Sequence, residues 1–197
     1  MNDNKILNIV PTPIGNLDDI TFRAIETLKN SDYILCEDTR VSKKLLLKYN
    51  VDVPLVSFHS FNEHKTVGKH INQILSGKQI SLISDAGTPS ISDPGFLIVR
   101  ESIKNGIEIN CLPGPTALIP ALVNSGLSSE RFVFEGFLPS KKGRNKRLKN
   151  IGEETRSIVV YESPKRLLRL LRELKEVLGE GRRVSISREI SKVFQEN

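Results

Sequence analysis

The chain has 197 residues, a formal net charge of +6, no Trp and an apolar share of 38%. That is the composition of a soluble globular protein with room for one solid domain or two small ones. No apolar run approaches a membrane span and the N-terminal MNDNKILNIV lacks the apolar stretch of a signal peptide, so a cytoplasmic location and no membrane partner are expected. Cys36 and Cys111 each sit in an apolar run and read as buried thiols of a reducing compartment. His59, His64 and His70 match no common zinc spacing, so no metal is expected. The positive charge admits a nucleic-acid partner without establishing one.

Residues 5–10 predict a first strand. Pro11-Thr12-Pro13-Ile14-Gly15-Asn16 breaks it into a shaped loop, since two prolines fix the backbone and one glycine frees it. Asp18, Asp19 or Thr21 can cap the next helix, whose apolar side carries Phe22, Ile25 and Leu28. A short strand at 33–36 ends in Glu37-Asp38-Thr39-Arg40, which reads either as a salt-bridged helix start or as part of a site. Ser42 is the expected cap of a helix bearing Leu45, Leu46 and Leu47. A third strand at 53–58 is followed by a polar interval, 59–64, that either faces a substrate or only connects. Val67, Ile71, Ile74 and Leu75 then predict an amphipathic helix over 62–76, with His70 beside the stripe on the surface.

Ile80, Leu82 and Ile83 predict the central buried strand. It runs into Ser84-Asp85-Ala86-Gly87-Thr88-Pro89 and then Ser92-Asp93-Pro94-Gly95. Small residues let the backbone approach a ligand, and Asp93 is placed to cap a helix starting at Pro94. A loop with two carboxylates at the end of a central strand is where open α/β sheets bind ligands. The same residues are good turn formers, and taken alone they leave both readings open. A helix over 94–105 stops at Gly106, and a strand at 107–112 ends in Pro113-Gly114-Pro115-Thr116 before a short helix at 117–123. The alternation of strand, turn and helix argues an α/β domain with a largely parallel sheet.

The polar stretch 125–130 is the expected hinge between an N-terminal domain, 1–124, and a smaller α/β domain, 131–197. A strand at 131–137 leads into residues 138–149, with six basic residues (Lys141, Lys142, Arg144, Lys146, Arg147, Lys149) and no acidic one. That is either a solvated loop or a set of phosphate contacts. After a strand at 156–161, Ser163 and Pro164 start a long helix. Its Leu167, Leu168, Leu170, Leu171, Leu174, Val177 and Leu178 cover more than one face, so deep burial is expected. A strand at 182–188 follows, then Glu189 and Lys192, and no further helix, so the second domain is expected to be incomplete at its C-terminal end.

Six motifs go further: PTPIGNL (11–17), EDTRVS (37–42), LISDAGTPSISDPG (82–95), PGPTA (113–117), EGFLPSK (135–141) and YESPKR (161–166). In this order they resemble the ribosomal RNA small subunit methyltransferase I family of the tetrapyrrole methylase superfamily, whose members methylate the ribose 2′-oxygen of a cytidine in 16S rRNA. The resemblance extends to REISK (188–192). It implies a two-domain tetrapyrrole-methylase-like fold, S-adenosylmethionine in the cleft between the domains, a homodimer, and 16S rRNA of the 30S subunit as partner. It implies cofactor contacts at Pro13, Ile14, Asp85, Ala86, Gly87, Thr88, Pro89, Ser92, Asp93, Pro113, Gly114, Pro115 and Thr116, with Leu138 closing from the second domain. The reaction needs a base or a polarising contact on a weakly nucleophilic hydroxyl. The candidate catalytic residues are Asp38 with Arg40, Glu162, Lys165 and Glu189, with Asp85 an alternative carboxylate. Lys165 stands where the family commonly has histidine. RNA contacts are expected from Lys141, Lys142, Arg144, Lys146, Arg147, Lys149 and Arg166. The alternatives are a superfamily enzyme acting on a small tetrapyrrole-like metabolite and a non-catalytic RNA-binding protein. A nucleotide hydrolase is disfavoured because no GxxxxGK[ST] stretch is present.

Overall fold

The computed structural model describes residues 5–197, and the chain divides into two compact units, Met1–Thr116 and Ala117–Asn197. The division falls before the expected hinge, so the helix after the PGPTA turn goes with the second unit and 125–130 lies inside it.

The first unit is a five-stranded, wholly parallel sheet of order β3-β2-β4-β1-β5. Its strands are β1 (Ile6–Ile9), β2 (Tyr33–Cys36), β3 (Leu55–Ser57), β4 (Ile80–Leu82) and β5 (Glu108–Cys111). Between them run α1 (Phe22–Lys29), α2 (Thr39–Lys48), α3 (Glu63–Leu75) and α4 (Phe96–Lys104). Successive strand residues point to opposite faces, so the apolar runs supply two cores. Leu7, Ile9, Leu35, Ile80 and Leu82 pack with Ile71, Ile74 and Ile98. Val10, Ile34, Cys36 and Ile83 pack with Ala24, Leu28 and Leu46. Apolar cover on both faces is what a parallel sheet requires. The chain steps outward from β1 to β2 over the position of β4, and later from β4 to β5 over β1. The loops leaving β1, β4 and β5 therefore emerge side by side at the carboxyl edge.

Local expectations fare unevenly. Thr21 caps α1, its Oγ1 accepting from the Ala24 N–H at 3.0 Å. Asp38, not Ser42, caps α2, because the helix starts at Thr39 and leaves Ser42 buried inside it. Helix α4 starts at Phe96 behind Gly95, whose φ of 130° ends the loop; Asp93 is not its cap. His70 is 2% exposed, not on the surface: the Tyr33 hydroxyl meets its Nδ1 at 2.9 Å and satisfies it there. Cys36 is buried as expected, but Cys111 is exposed on edge strand β5.

The second unit holds α5 (Leu118–Asn124), β6 (Phe132–Phe137), α6 (Arg144–Gly152), β7 (Ser157–Tyr161), a 3-10 turn (Pro164–Arg166) and α7 (Leu167–Leu178). Strands β6 and β7 form a separate parallel pair. Leu138, Leu148, Ile151 and Leu170 are its buried core. The basic stretch is thus not a loop throughout: Arg144, Leu148 and Ile151 share the inner side of a helix. Helix α7 is less buried than its leucines suggest. Only Leu170 is buried and Leu168 is 69% exposed, because a two-stranded sheet covers one stripe and no more. Residues 182–188 form no strand among the described residues. Val184 and Ile186 carry the alternation, but only Arg188 pairs, in an isolated bridge with Glu196.

No helix among the described residues is long and apolar enough to cross a membrane.

Candidate cofactor and substrate site

The loops after β1, β4 and β5 are locked to one another by backbone groups. The Thr12 N–H donates to the Gly87 carbonyl and the Gly87 N–H to the Thr12 carbonyl, both at 2.9 Å. Thr12 Oγ1 donates to the Ser84 carbonyl at 2.9 Å, and Thr88 Oγ1 to the Pro115 carbonyl at 3.2 Å. Two glycines make this closeness possible. Gly87 has φ +83°, and a Cβ on Gly114 would lie 2.6 Å from Pro11 Cβ. The loop beyond carries left-handed non-glycine residues, Ser90 at φ 71° and Ser92 at φ 63°. Each conformation of this kind costs on the order of 1–3 kcal/mol and persists only where the surroundings fix it, commonly at ligand sites.

Beside these loops lies a group of carboxylates. The Asp38 N–H donates to Asp85 Oδ1 at 3.1 Å, linking the ends of β2 and β4. Asp38 itself is held by Arg40, whose Nη2 meets Oδ2 at 2.6 Å and whose N–H meets Oδ1 at 2.8 Å. Those hydrogen bonds draw its carboxyl down to about 2. Asp93 goes the other way: burial first, then the charges of Glu37 and Asp85, push it up to about 6. Glu37 is also raised, by burial and then by Asp85, with His59 working against the rise. The cluster therefore contains a fixed anion at Asp38 and a carboxyl able to exchange a proton near neutral pH at Asp93.

The second unit has its own charge network at the ends of β6 and β7. Arg144 is 1% exposed. Its Nη1 donates to the Pro139 carbonyl at 2.9 Å, its Nε to Glu173 Oε2 at 2.9 Å, and its Nη2 lies 3.8 Å from Glu162 Oε2. Glu162, with a side chain 4% exposed, accepts from the Ser163 N–H at 2.8 Å and pairs with Arg166 Nη2 at 2.7 Å.

A family model described as Tetrapyrrole (Corrin/Porphyrin) Methylases matches residues 7–196. The "Ribosomal RNA small subunit methyltransferase I" of Thermotoga maritima is 48% identical over 190 residues, which is 96% of this chain and 85% of that protein. The protein of the same name from Pseudomonas aeruginosa is 46% identical, over 96% of this chain and 67% of its own length. This chain belongs to the ribosomal RNA small subunit methyltransferase I family. Solved structures share the fold at low identity. A cobalt precorrin-4 methyltransferase of cobalamin biosynthesis matches with a TM-score of 0.69 at 16% identity, covering 98% of this chain and 83% of that one. A diphthine synthase matches at 0.66 and 13%, covering 87% and 72%.

Against this background the expected residues sort themselves. In the first unit the structure brings together Pro13, Ile14, Asp85, Gly87, Thr88, Pro89 and Pro113 to Thr116 on adjoining loops, with Ala86 exposed and Ser92 and Asp93 in the strained segment. Arg144 is a correction: it is not a surface phosphate ligand but an interior tie, because Glu173 and Glu162 neutralise it there. Leu138 is 2% exposed, with its side chain in the core of its own unit. Lys141, Lys142, Lys146 and Lys149 are exposed. Arg147 pairs with Glu135 at 2.8 Å, and Lys165 is exposed on the 3-10 turn. Glu189 is exposed and pairs with Lys192 at 3.2 Å. The sequence reading flagged the stretches holding Glu37 and His59 but gave neither residue a role; the structure couples Glu37 to both Asp85 and His59, just past the ends of the neighbouring strands β2 and β3.

Proposed function

We propose that this protein transfers a methyl group from S-adenosylmethionine to the ribose 2′-hydroxyl of a cytidine in small-subunit ribosomal RNA. The observation that carries the reading is near-full-length identity, 48% and 46%, to proteins named small subunit rRNA methyltransferases. The residues fit such a cofactor. Gly87 supplies the positive φ that turns the β4 loop and Gly114 lets the β5 loop lie against Pro11, so backbone groups of the three loops gather at one edge, and Glu37, Asp85 and Asp93 favour a cationic ligand. When bound, the cofactor supplies a methyl group on a sulfonium, already a good leaving group.

The remaining work falls to the chain. Pro13, Ile14, Asp85 to Pro89 and Pro113 to Thr116 hold the ligand through their backbone, and alignment of this kind is worth up to ~7–11 kcal/mol. Asp93, at about 6, is suited to take the hydroxyl proton near neutral pH, and Asp38, at about 2, is not. Lys141, Lys142, Lys146, Arg147 and Lys149 on and before α6, with Lys165 and Arg166, meet RNA phosphates. A homodimer working in the cytoplasm completes the reading. The test is labelled S-adenosylmethionine with purified 30S subunits, followed by digestion to nucleosides. Label in 2′-O-methylcytidine is expected; label in a base, in no RNA at all, or in a tetrapyrrole offered in parallel overturns it.

A further inference from the structure

The turn at residues 59–63, between β3 and α3, has a conformation built by its own polar groups. The His59 N–H donates to Asn62 Oδ1 at 2.8 Å, and Asn62 Nδ2 donates to the Ser57 carbonyl at 3.0 Å. The N–H groups of Asn62 and Glu63 both donate to the His59 carbonyl, at 3.0 and 2.9 Å. Out of this frame stands Phe61, 89% exposed. The His59 ring meets the Phe61 ring edge-on, with centroids 5.9 Å apart and planes at 68°. Two buried atoms of the same turn, His59 Nδ1 and Glu63 Oε2, have no hydrogen-bond partner among the described residues.

A single exposed Phe needs no explanation. Held edge-on against the His59 ring, on a turn that its own hydrogen bonds fix, it does. Folded chains satisfy nearly all buried polar groups, because each unmatched one forfeits its hydration without return. A turn fixed by four hydrogen bonds that holds up an exposed aromatic ring, flanked by the half-buried polar side chains of His59 and Glu63, is shaped for a ligand with both an apolar face and a polar edge. An apolar protein helix would match Phe61 and leave the polar side chains beside it unmatched. A phosphate would be met by the Glu63 carboxylate. An unpaired base has what is needed: a π-face that stacks on any aromatic ring, and an edge of donors and acceptors. The position agrees, since the turn starts two residues past the end of β3, at the same carboxyl edge of the sheet as the loops after β1, β4 and β5.

We propose that the 59–63 turn receives an unstacked nucleobase of the RNA substrate, its face against Phe61 and its polar edge toward His59 and Glu63. The proposal rests on the reading of this protein as an rRNA methyltransferase. Its test uses the full chain with F61A and F61W, the second adding the sole Trp of a sequence that has none. At 89% exposure, Phe61 can be truncated without disturbing the core. F61A should weaken binding to 30S subunits on the order of tenfold, the loss typical of one base–aromatic stack. F61W should restore it, and its fluorescence should be quenched by transcribed 16S rRNA. S-adenosylmethionine affinity and the sedimentation coefficient should be unchanged in both. Wild-type affinity for 30S subunits in F61A overturns the proposal. So does a loss of S-adenosylmethionine affinity, which would give the ring to the cofactor, or a change in oligomeric state, which would give it to a second copy. A wild-type protein that binds neither 30S subunits nor 16S rRNA would instead sink the underlying reading.

Discussion

Replacing Asp93 with Asn should stabilise the protein at pH 7.5 and do nothing for it near pH 4. The carboxyl moves from 3.8 in the ordinary state to about 6 in the fold. Between those values the folded chain keeps a proton that the unfolded chain has released, so stability falls as pH rises through that window. The penalty is complete above about pH 6 and absent below the ordinary carboxylate value. Each unit is worth about 1.4 kcal/mol, which sets an upper bound of about 3 kcal/mol. Asp93 is only half-buried, so solvent screening reduces this, and about 1–2 kcal/mol is the working expectation. In a chain of this size that is a rise of roughly 2–8 °C in the melting temperature. Asn mimics the neutral carboxyl in shape and removes the conflict with Glu37 and Asp85. Calorimetric melts of wild type and D93N from pH 4 to 8 measure it. A gap that stays constant over that range, or a D93N protein less stable at pH 7.5, would refute the electrostatic argument. Methyl transfer should drop in the same variant, the usual exchange between stability and activity at a strained site.

Gly87→Val should leave a folded protein that binds S-adenosylmethionine at least about tenfold more weakly by calorimetry, since a β-branched residue resists φ +83° and disturbs the hydrogen-bonded pair with Thr12. Undiminished affinity would move the cofactor away from this loop. Arg144→Met should destabilise the second unit by about 1.5–3 kcal/mol, because Glu173 and the Pro139 carbonyl lose a buried charged donor while Glu173 keeps Arg169 and Glu162 keeps Arg166; a melting curve like that of the wild type would return Arg144 to the surface. The K146A/R147A double variant should keep its fold and its S-adenosylmethionine affinity, but reduce the log–log salt slope of 30S binding by roughly 0.7–0.9 per lost phosphate contact. Equal slopes would leave the α6 face without a part in RNA binding.

The strands, the helices between them and the three turns after β1, β4 and β5 were legible in sequence, because apolar period and Gly/Pro punctuation are local. Strand order was not: nothing in residues 6–9 announces that they pair with residues 80–82 and 108–111 at once. Charge misled in the 138–149 stretch. Arg144, Leu148 and Ile151 recur at helical spacing, but the six basic residues drew the eye to solvent, and the interior partner of Arg144 lies at Glu173, 29 positions away. His70 was misplaced for the same kind of reason. It belongs to the Val67, Ile71, Ile74 stripe, and only the distant Tyr33 hydroxyl makes its burial tolerable. Asp93 looked like a cap because Asp-Pro so often is one; the chain instead needed Gly95 to turn into α4, where a Cβ would strike Ser90 Oγ at 2.6 Å.

The two thiols have unequal access. Cys36 is sealed inside the sheet, whereas Cys111 is exposed as the last residue of edge strand β5, directly before Leu112 and the Pro113–Thr116 turn. A thiol-reactive dye would therefore attach at one point of the native protein without any engineering. Partial desolvation by its neighbours pushes the Cys111 thiol up even though the residue is exposed, so coupling calls for mildly alkaline buffer. The label would sit next to one of the three interlocked loops and would report, as a change in emission, whatever comes to rest against them.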